Sequence, residues 1–147
     1  MSNPVNGYSR TQIILHWGIA ALVLFQFLAG ETINEFSELL AKGQAPDAIP
    51  PLARVHVLLG ILTLLLVVWR VVLRITRGVP DAPAEENGAL KMVAKIAHVT
   101  LYGALFIMPL SGIGAWFGGQ EFAAQVHQIV KVVLLVTIGL HFVGAMY

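Results

Sequence analysis

Cysteine is absent from this sequence, and charged residues are scarce. Without thiols, the chain has no disulfides, no cysteine-ligated iron–sulfur cluster and no covalently attached c-type haem. Charged residues make up 12% of the 147 residues, whereas about a quarter is usual for a soluble domain. Hydrophobic residues make up 57%, and the mean hydropathy is +0.78. Lipid is therefore the expected solvent, and a net charge of +1 gives no indication of nucleic-acid binding.

Long apolar segments account for most of the chain. Four are long enough to cross a bilayer, which takes about 20 helical residues. They span residues 11–30, 52–75, 90–117 and 122–147. The first exceeds a signal-peptide core and lacks a convincing cleavage site, so it is interpreted as a retained anchor. The third contains Pro109, so we expect it to kink or to end early. The sequence predicts an all-α fold, a membrane four-helix bundle in one domain over residues 1–147.

The connections between the segments are polar. Within Glu31–Pro51, the sequence INEFSELLAKG separates apolar from charged side chains, which predicts a short helix on the membrane surface. Proline and acidic residues in Arg77–Gly88 predict a loop.

Basic residues near helix ends predict the orientation, because they collect on the cytoplasmic side of membranes. One side has Arg10, Arg70, Arg74, Arg77, Lys91 and Lys95, and the other has Lys42, Arg54 and Lys131. The richer side is expected to be the cytoplasmic side of a bacterial inner membrane, and both termini are expected in the cytoplasm. The other side is called outer.

Ionisable residues inside membrane helices indicate function, because burying them in hydrocarbon is costly. The chain has five histidines: His16, His56, His98, His127 and His141. His56 and His127 lie near the outer starts of the second and fourth helices, at one level. His141 follows His127 by fourteen residues, about 21 Å along a helix and about 40° short of four turns. The fourth helix therefore presents two histidines on nearly one face, one at each level.

At the inner level, two histidines are candidates to pair with His141. His16 near the inner start of the first helix and His98 in the third both lie near its depth. A lone histidine can simply bond a neighbouring helix, but four at matched depths indicate ligands. Zinc and copper sites use three or four protein ligands, whereas each level offers essentially two. The pattern predicts two bis-histidine haems stacked across the bilayer, which carry electrons because no coordination position stays open.

Other residues near the histidines suggest further contacts. Arg70 follows His56 by fourteen residues and is predicted to contact an inner haem propionate or a quinone carbonyl. Lys131, one turn after His127, is predicted to contact an outer propionate. Snorkelling to the interface is the alternative for both. Nearby glycines are expected either to make room for the macrocycle or to serve helix packing; these are Gly60 and Gly139.

Several motifs together resemble the bacterial cytochrome b561 family. They are Tyr8-Ser9-Arg10-Thr11-Gln12-x-x-x-His16-Trp17, His56-Val-Leu-Leu-Gly60, Trp69-Arg70 with Arg74, Ala97-His98-Val-x-Leu-Tyr102, Met108-Pro109-x-Ser-Gly112, and the spacing from His127 to His141. The resemblance implies two haems b, an inner one held by His16 with His141 and an outer one held by His56 with His127. It leaves His98 as a non-ligand near a haem edge or a quinone.

The resemblance also implies an activity. Some family members are superoxide oxidases, which pass an electron from superoxide to ubiquinone. The chain is therefore expected to be an oxidoreductase linking a small periplasmic donor to ubiquinone, which would bind near Arg70 and His98. Net acidity of the outer loop opposes an anionic donor. One alternative is a cytochrome b membrane subunit of a larger dehydrogenase or hydrogenase, and another is a non-redox membrane protein. Lipid is an expected partner and nucleic acid is not.

Overall fold

The computed structural model describes residues 7–44, 47–80 and 88–146. Within these ranges the chain forms four α-helices and no strand. They are α1 (Arg10–Ala41), α2 (Pro51–Arg77), α3 (Gly88–Gly118) and α4 (Glu121–Met146). Each is long and apolar enough to cross a membrane. The predicted all-α architecture with four candidate membrane spans is confirmed.

The start of α1 is bonded to the end of α2. Ser9 and Gln12 form a capping box, in which the Ser9 hydroxyl accepts from the Gln12 amide and the Gln12 side chain accepts from the Ser9 amide. The same Gln12 side chain donates to Gly78 O at 3.1 Å. Arg70 Nη1 donates to Gln12 O at 2.8 Å. Consecutive helices α1 and α2 are therefore antiparallel, and Arg70 lies at the level where α1 begins.

Helix α1 is longer than the sequence pattern predicted. The expected surface helix does not exist as a separate element, because α1 continues through Gly30 to Ala41. Contacts with the rest of the bundle accompany this continuation. The Phe36 ring centre is 6.3 Å from that of Trp116 in α3, and Gln128 Nε2 in α4 donates to Asn34 Oδ1 at 2.9 Å. The helix has 32 residues, about 48 Å in length, against a hydrocarbon core of about 30 Å.

The expected effect of Pro109 on α3 was a kink or an early end, and the kink stays a prediction. Pro109 lies inside α3, and the helix does not end early but runs on to Gly118. Proline removes one backbone donor, and membrane helices tolerate this where nearby side chains satisfy the backbone. Beside Pro109, the Ser111 hydroxyl donates to Met108 O at 2.9 Å.

The helices pack in chain order: α1 against α2, α2 against α3, and α3 against α4. Among described residues, no Cα atom of α4 comes within 8 Å of one in α1 or α2. Buried side chains from all four helices join in the middle of the bundle, namely Ile19, Val23, Val67, Ala104 and Leu134. Many large apolar side chains point outward instead, among them Leu28 and Ile75, which are 72% and 77% exposed. Lipid is the solvent that suits such a surface.

Candidate functional site

The histidines fall into two groups at opposite ends of the bundle. The ring centres of His56 in α2 and His127 in α4 are 6.4 Å apart. At the other end, the His16 and His141 ring centres are 6.3 Å apart, and His98 lies 5.3 Å from His141. The two levels inferred from helical spacing thus correspond to two real clusters. The role of each histidine as a ligand stays a prediction.

Both distances suit a single metal ion between two rings. With each metal–nitrogen bond about 2 Å long, two imidazoles on opposite sides of one ion have ring centres roughly 6 Å apart. Each pair also joins helices whose backbones do not touch, α2 with α4 and α1 with α4. The side chains therefore reach across gaps that leave room for a flat molecule. Among described residues, no three His, Cys, Asp or Glu side chains converge as ligands for a bare metal ion.

A cavity of about 670 Å³ lies beside His56 and His127. Its size falls within the usual range for cofactor and small-molecule sites, roughly 300–1,000 Å³. The lining is mainly apolar, and Glu31, Glu38 and Lys131 are among its polar residues. The cavity therefore suits a mainly apolar ligand that also carries polar groups.

The ring of His127 is oriented by α3. Its Nδ1 donates to Met108 O at 2.8 Å and lies 3.3 Å from the Ser111 hydroxyl. Because Nδ1 carries the proton, Nε2 has its lone pair available for a metal. A Cβ atom at Gly112 would lie 3.2 Å from the His127 ring, so glycine lets the ring approach the helix closely. The motif Met108-Pro109-x-Ser111-Gly112 is the seat of this ring.

The ring of His56 has different surroundings. Its Nδ1 is buried and has no hydrogen-bond partner. The Gln26 amide of α1 donates to His56 O at 2.9 Å, and a Cβ atom at Gly30 would lie 3.9 Å from His56 Cε1. Sequence reasoning missed Gln26. The signal was available, because a polar amide inside an apolar membrane helix calls for a partner.

Gly60 and Gly139 were expected either to make room for the macrocycle or to serve helix packing, and their surroundings differ. A Cβ atom at Gly60 would lie 3.1 Å from Gln26 Nε2, so this glycine makes room for the Gln26 amide. At Gly139 a Cβ atom would meet nothing within 4 Å. The glycines that border the histidine rings are instead Gly30 and Gly112.

The cluster at the other end contains three histidines and Arg70. His98 Nδ1 donates to Ala94 O of its own helix at 2.7 Å, which fixes the ring. Arg70 Nη1 donates to Gln12 O, one helical turn before His16 in α1. Proximity therefore does not select a unique partner for His141, since His16 and His98 are both near it.

Other basic residues of the bundle differ in their surroundings. Lys131 lines the cavity and lies one helical turn after His127. Arg54 is exposed and does not line the cavity. Arg74 places its guanidinium 5.8 Å from the Tyr102 ring centre, a cation–π distance.

Comparisons with known proteins extend over almost the whole chain. The family model of prokaryotic cytochrome b561 matches residues 7–147. A protein named cytochrome b562 from Cereibacter sphaeroides is 32% identical over 141 residues, which cover 96% of this chain and 86% of the relative. No solved structure matches the chain.

Proposed function

The chain belongs to the prokaryotic cytochrome b561 family, and from that premise we propose that it is a di-haem cytochrome carrying electrons between a periplasmic reactant and ubiquinone. Membership confirms the resemblance seen in its motifs. It makes the chain a multi-pass bacterial membrane protein, a b-type cytochrome of electron transfer. The number of haems, their ligands and the two reactants are the proposal.

The observation that carries the proposal is the pairing of histidines across non-adjacent helices, with ring centres 6.4 Å and 6.3 Å apart. His56 and His127 would hold one haem b, and His16 and His141 the other. Held by such a pair of histidines, a haem would supply one-electron transfer. The cavity beside the first pair and the free Nε2 of His127 fit such a group.

The choice of His16 over His98 rests on geometry and on the motifs. The His16–His141 separation is close to that of the His56–His127 pair, whereas His98 lies closer to His141, at 5.3 Å. Two rings holding one ion need roughly 6 Å. His98, whose Nδ1 bonds Ala94 O, is then not needed as a ligand, and its Nε2 stays available to a quinone.

Apolar packing separates the two proposed haems. The buried cluster of Ile19, Val23, Val67, Ala104 and Leu134 lies between the histidine levels. Such packing excludes water from the middle of the bundle. The four buried polar side chains among described residues, Gln12, Thr63, Ser111 and Thr137, are too scattered to form a continuous polar route. Electrons would cross this layer, and protons would stay on their own side.

Quinone would bind at the inner level. Arg70 bonds Gln12 O one turn before His16, and His98 lies next to His141; a quinone carbonyl needs such polar side chains and a source of protons. The end of the bundle with Lys131 would face the periplasm, because fewer basic residues lie there. Superoxide is the proposed donor, and Lys131 is the cation in the cavity lining that would attract it. Glu31 and Glu38 in the same lining would weaken that attraction.

The first test counts haems in purified protein by the pyridine haemochrome assay. We expect two per chain in the parent and one after His56→Ala or His127→Ala. Thr137→Val is the control, because its hydroxyl bonds only Val133 O in its own helix, and it should keep both haems. One haem or none in the parent would refute the pairing.

The second test follows the electrons. Added superoxide should reduce the haems, and added ubiquinone should reoxidise them. If superoxide does not reduce a protein that holds both haems, the di-haem assignment survives and the donor is wrong. The subunit of a larger dehydrogenase or hydrogenase then becomes the better interpretation.

A further inference from the structure

Gln26 contacts His56 from the neighbouring helix. Its Nε2 donates to the His56 backbone carbonyl at 2.9 Å. The absence of a side chain at Gly60 makes this possible, because a Cβ atom there would lie 3.1 Å from that nitrogen. One turn later on α1, Gly30 faces His56 Cε1. Helix α1 thus contacts His56 through the Gln26 amide and leaves space for its ring at Gly30, and both residues line the cavity.

Two buried polar atoms at this contact lack partners. Gln26 Oε1 and His56 Nδ1 are the buried side-chain polar atoms without a hydrogen bond in the part of the chain that the structure describes. One is an acceptor, and the other is a donor when the imidazole binds metal through Nε2. A buried polar group without a partner is costly, because it has lost its hydrogen bonds to water. Both atoms belong to residues already bonded to each other, so one interaction between them would satisfy both.

We propose that Gln26 is the positioning residue of His56: its Oε1 accepts the Nδ1–H of His56, directly or through one water, and so sets the ring's tautomer and orientation. This rests on the proposed haem between His56 and His127. Ligating histidines almost always donate their second nitrogen to a carbonyl, a carboxylate or water, which raises the basicity of the ligand. For His127 the acceptor is Met108 O. For His56 it is a side chain, which mutation can alter.

The test is a redox titration of the purified protein, with ferric low-spin electron paramagnetic resonance as a second readout. The haem that His56→Ala removes is the one to follow. Gln26→Met removes the acceptor, lowers the basicity of the ligand and should raise the midpoint potential of that haem alone. Gln26→Glu keeps an acceptor oxygen but disrupts the bond to His56 O, and should leave the potential at or below the parent value. Its resonance signal should stay that of the parent.

Gln12→Leu is the matched control. Gln12 is also an amide of α1, but it is satisfied at the far end of the bundle by Ser9 and Gly78. It should not move the potential of the haem held by His56. An unchanged potential in Gln26→Met would overturn the proposal. So would an equal rise in Gln26→Glu, because the bond to His56 O would then explain both. If Gln26→Met does not assemble, Gln26→Glu decides alone. A midpoint potential at or below the parent value supports the proposal, and a raised one overturns it. A parent without any haem that depends on His56 would refute the proposed function itself, before any Gln26 variant is made.

Discussion

Different acceptors hold the histidine rings of this bundle. A backbone carbonyl of a neighbouring helix holds His127, and a carbonyl of its own helix holds His98. A backbone acceptor cannot be removed by substitution, so the His127 seat can be altered only through the space around it. That space depends on Gly112.

At this scale, Gly112→Ala should disturb the outer haem. Its Cβ atom would lie 3.2 Å from the His127 ring, and overpacking of this kind costs about 1–3 kcal/mol. We expect haem absorbance to be lost at a lower temperature than in the parent. Gly139→Ala is the control, because its Cβ atom meets nothing within 4 Å, and alanine favours a helix by about 1 kcal/mol. Equal thermal stability of the two variants would contradict the role of Gly112 in making room for the His127 ring.

His98 and His16 give a second prediction for single residues. His98→Ala should keep two haems and slow reoxidation by ubiquinone roughly tenfold, the effect of losing a hydrogen bond of about 1.4 kcal/mol. Arg70→Ala should act in the same direction, and reduction by superoxide should change little in either. His16→Ala should lose one haem. Should His98→Ala lose the inner haem instead, then His98 is the ligand and His16 is not.

At the scale of elements, the length of α1 matters most. Its last third carries Asn34 and Phe36 to contacts with α4 and α3, and Glu31 and Glu38 to the cavity lining. A surface helix lying on lipid would have formed neither these contacts with α3 and α4 nor this part of the cavity lining. The helix ends where Gly43 takes a positive φ of 69° and donates to Leu40 O, a conformation that glycine adopts most readily.

The continuity of α1 predicts a pattern of cross-linking, which the lack of native cysteine makes easy to test. The double variant Asn34→Cys with Gln128→Cys should react with a short bifunctional thiol reagent, because these side chains are 2.9 Å apart. Glu35→Cys with Gln128→Cys should react much less, since the next helical residue points about 100° away. Equal yields from both pairs would indicate a segment that moves freely on the surface.

At the scale of the molecule, α4 connects the two levels. It supplies one histidine to each cluster, and Leu134 between them belongs to the buried layer. Neither α1 nor α2 approaches the α4 backbone within 8 Å in the described residues. Histidine pairs with bound haem would therefore hold α4 to the first two helices where backbone packing does not.

The orientation of the whole bundle is a further prediction. From the six-to-three distribution of basic residues, we expect both termini in the cytoplasm. A reporter that works only outside should be active when fused between α1 and α2 and inactive between α2 and α3. A reporter that works only in the cytoplasm should give the opposite pattern. The reverse result would exchange the inner and outer assignments but leave the pairing of histidines unchanged.

The sequence by itself determined the helices and the two levels of histidine. Both depend on local properties: an apolar run must satisfy its backbone internally in lipid, and the rise and rotation per helical residue are constant. From these properties alone, the relative depth and direction of His127 and His141 follow, whatever helices pack beside them.

Only the tertiary structure decided which side chains meet across helices. Three features join residues that are distant in the chain. They are the continuation of α1 beyond Gly30, the contact of the His127 ring with Met108 and Gly112, and the contact of Gln26 with His56. Their energies come from packing and hydrogen bonds between elements, which override local pattern and leave no periodic trace in the sequence. For the same reason the sequence left His16 and His98 as alternatives, and the fold brings both rings to His141.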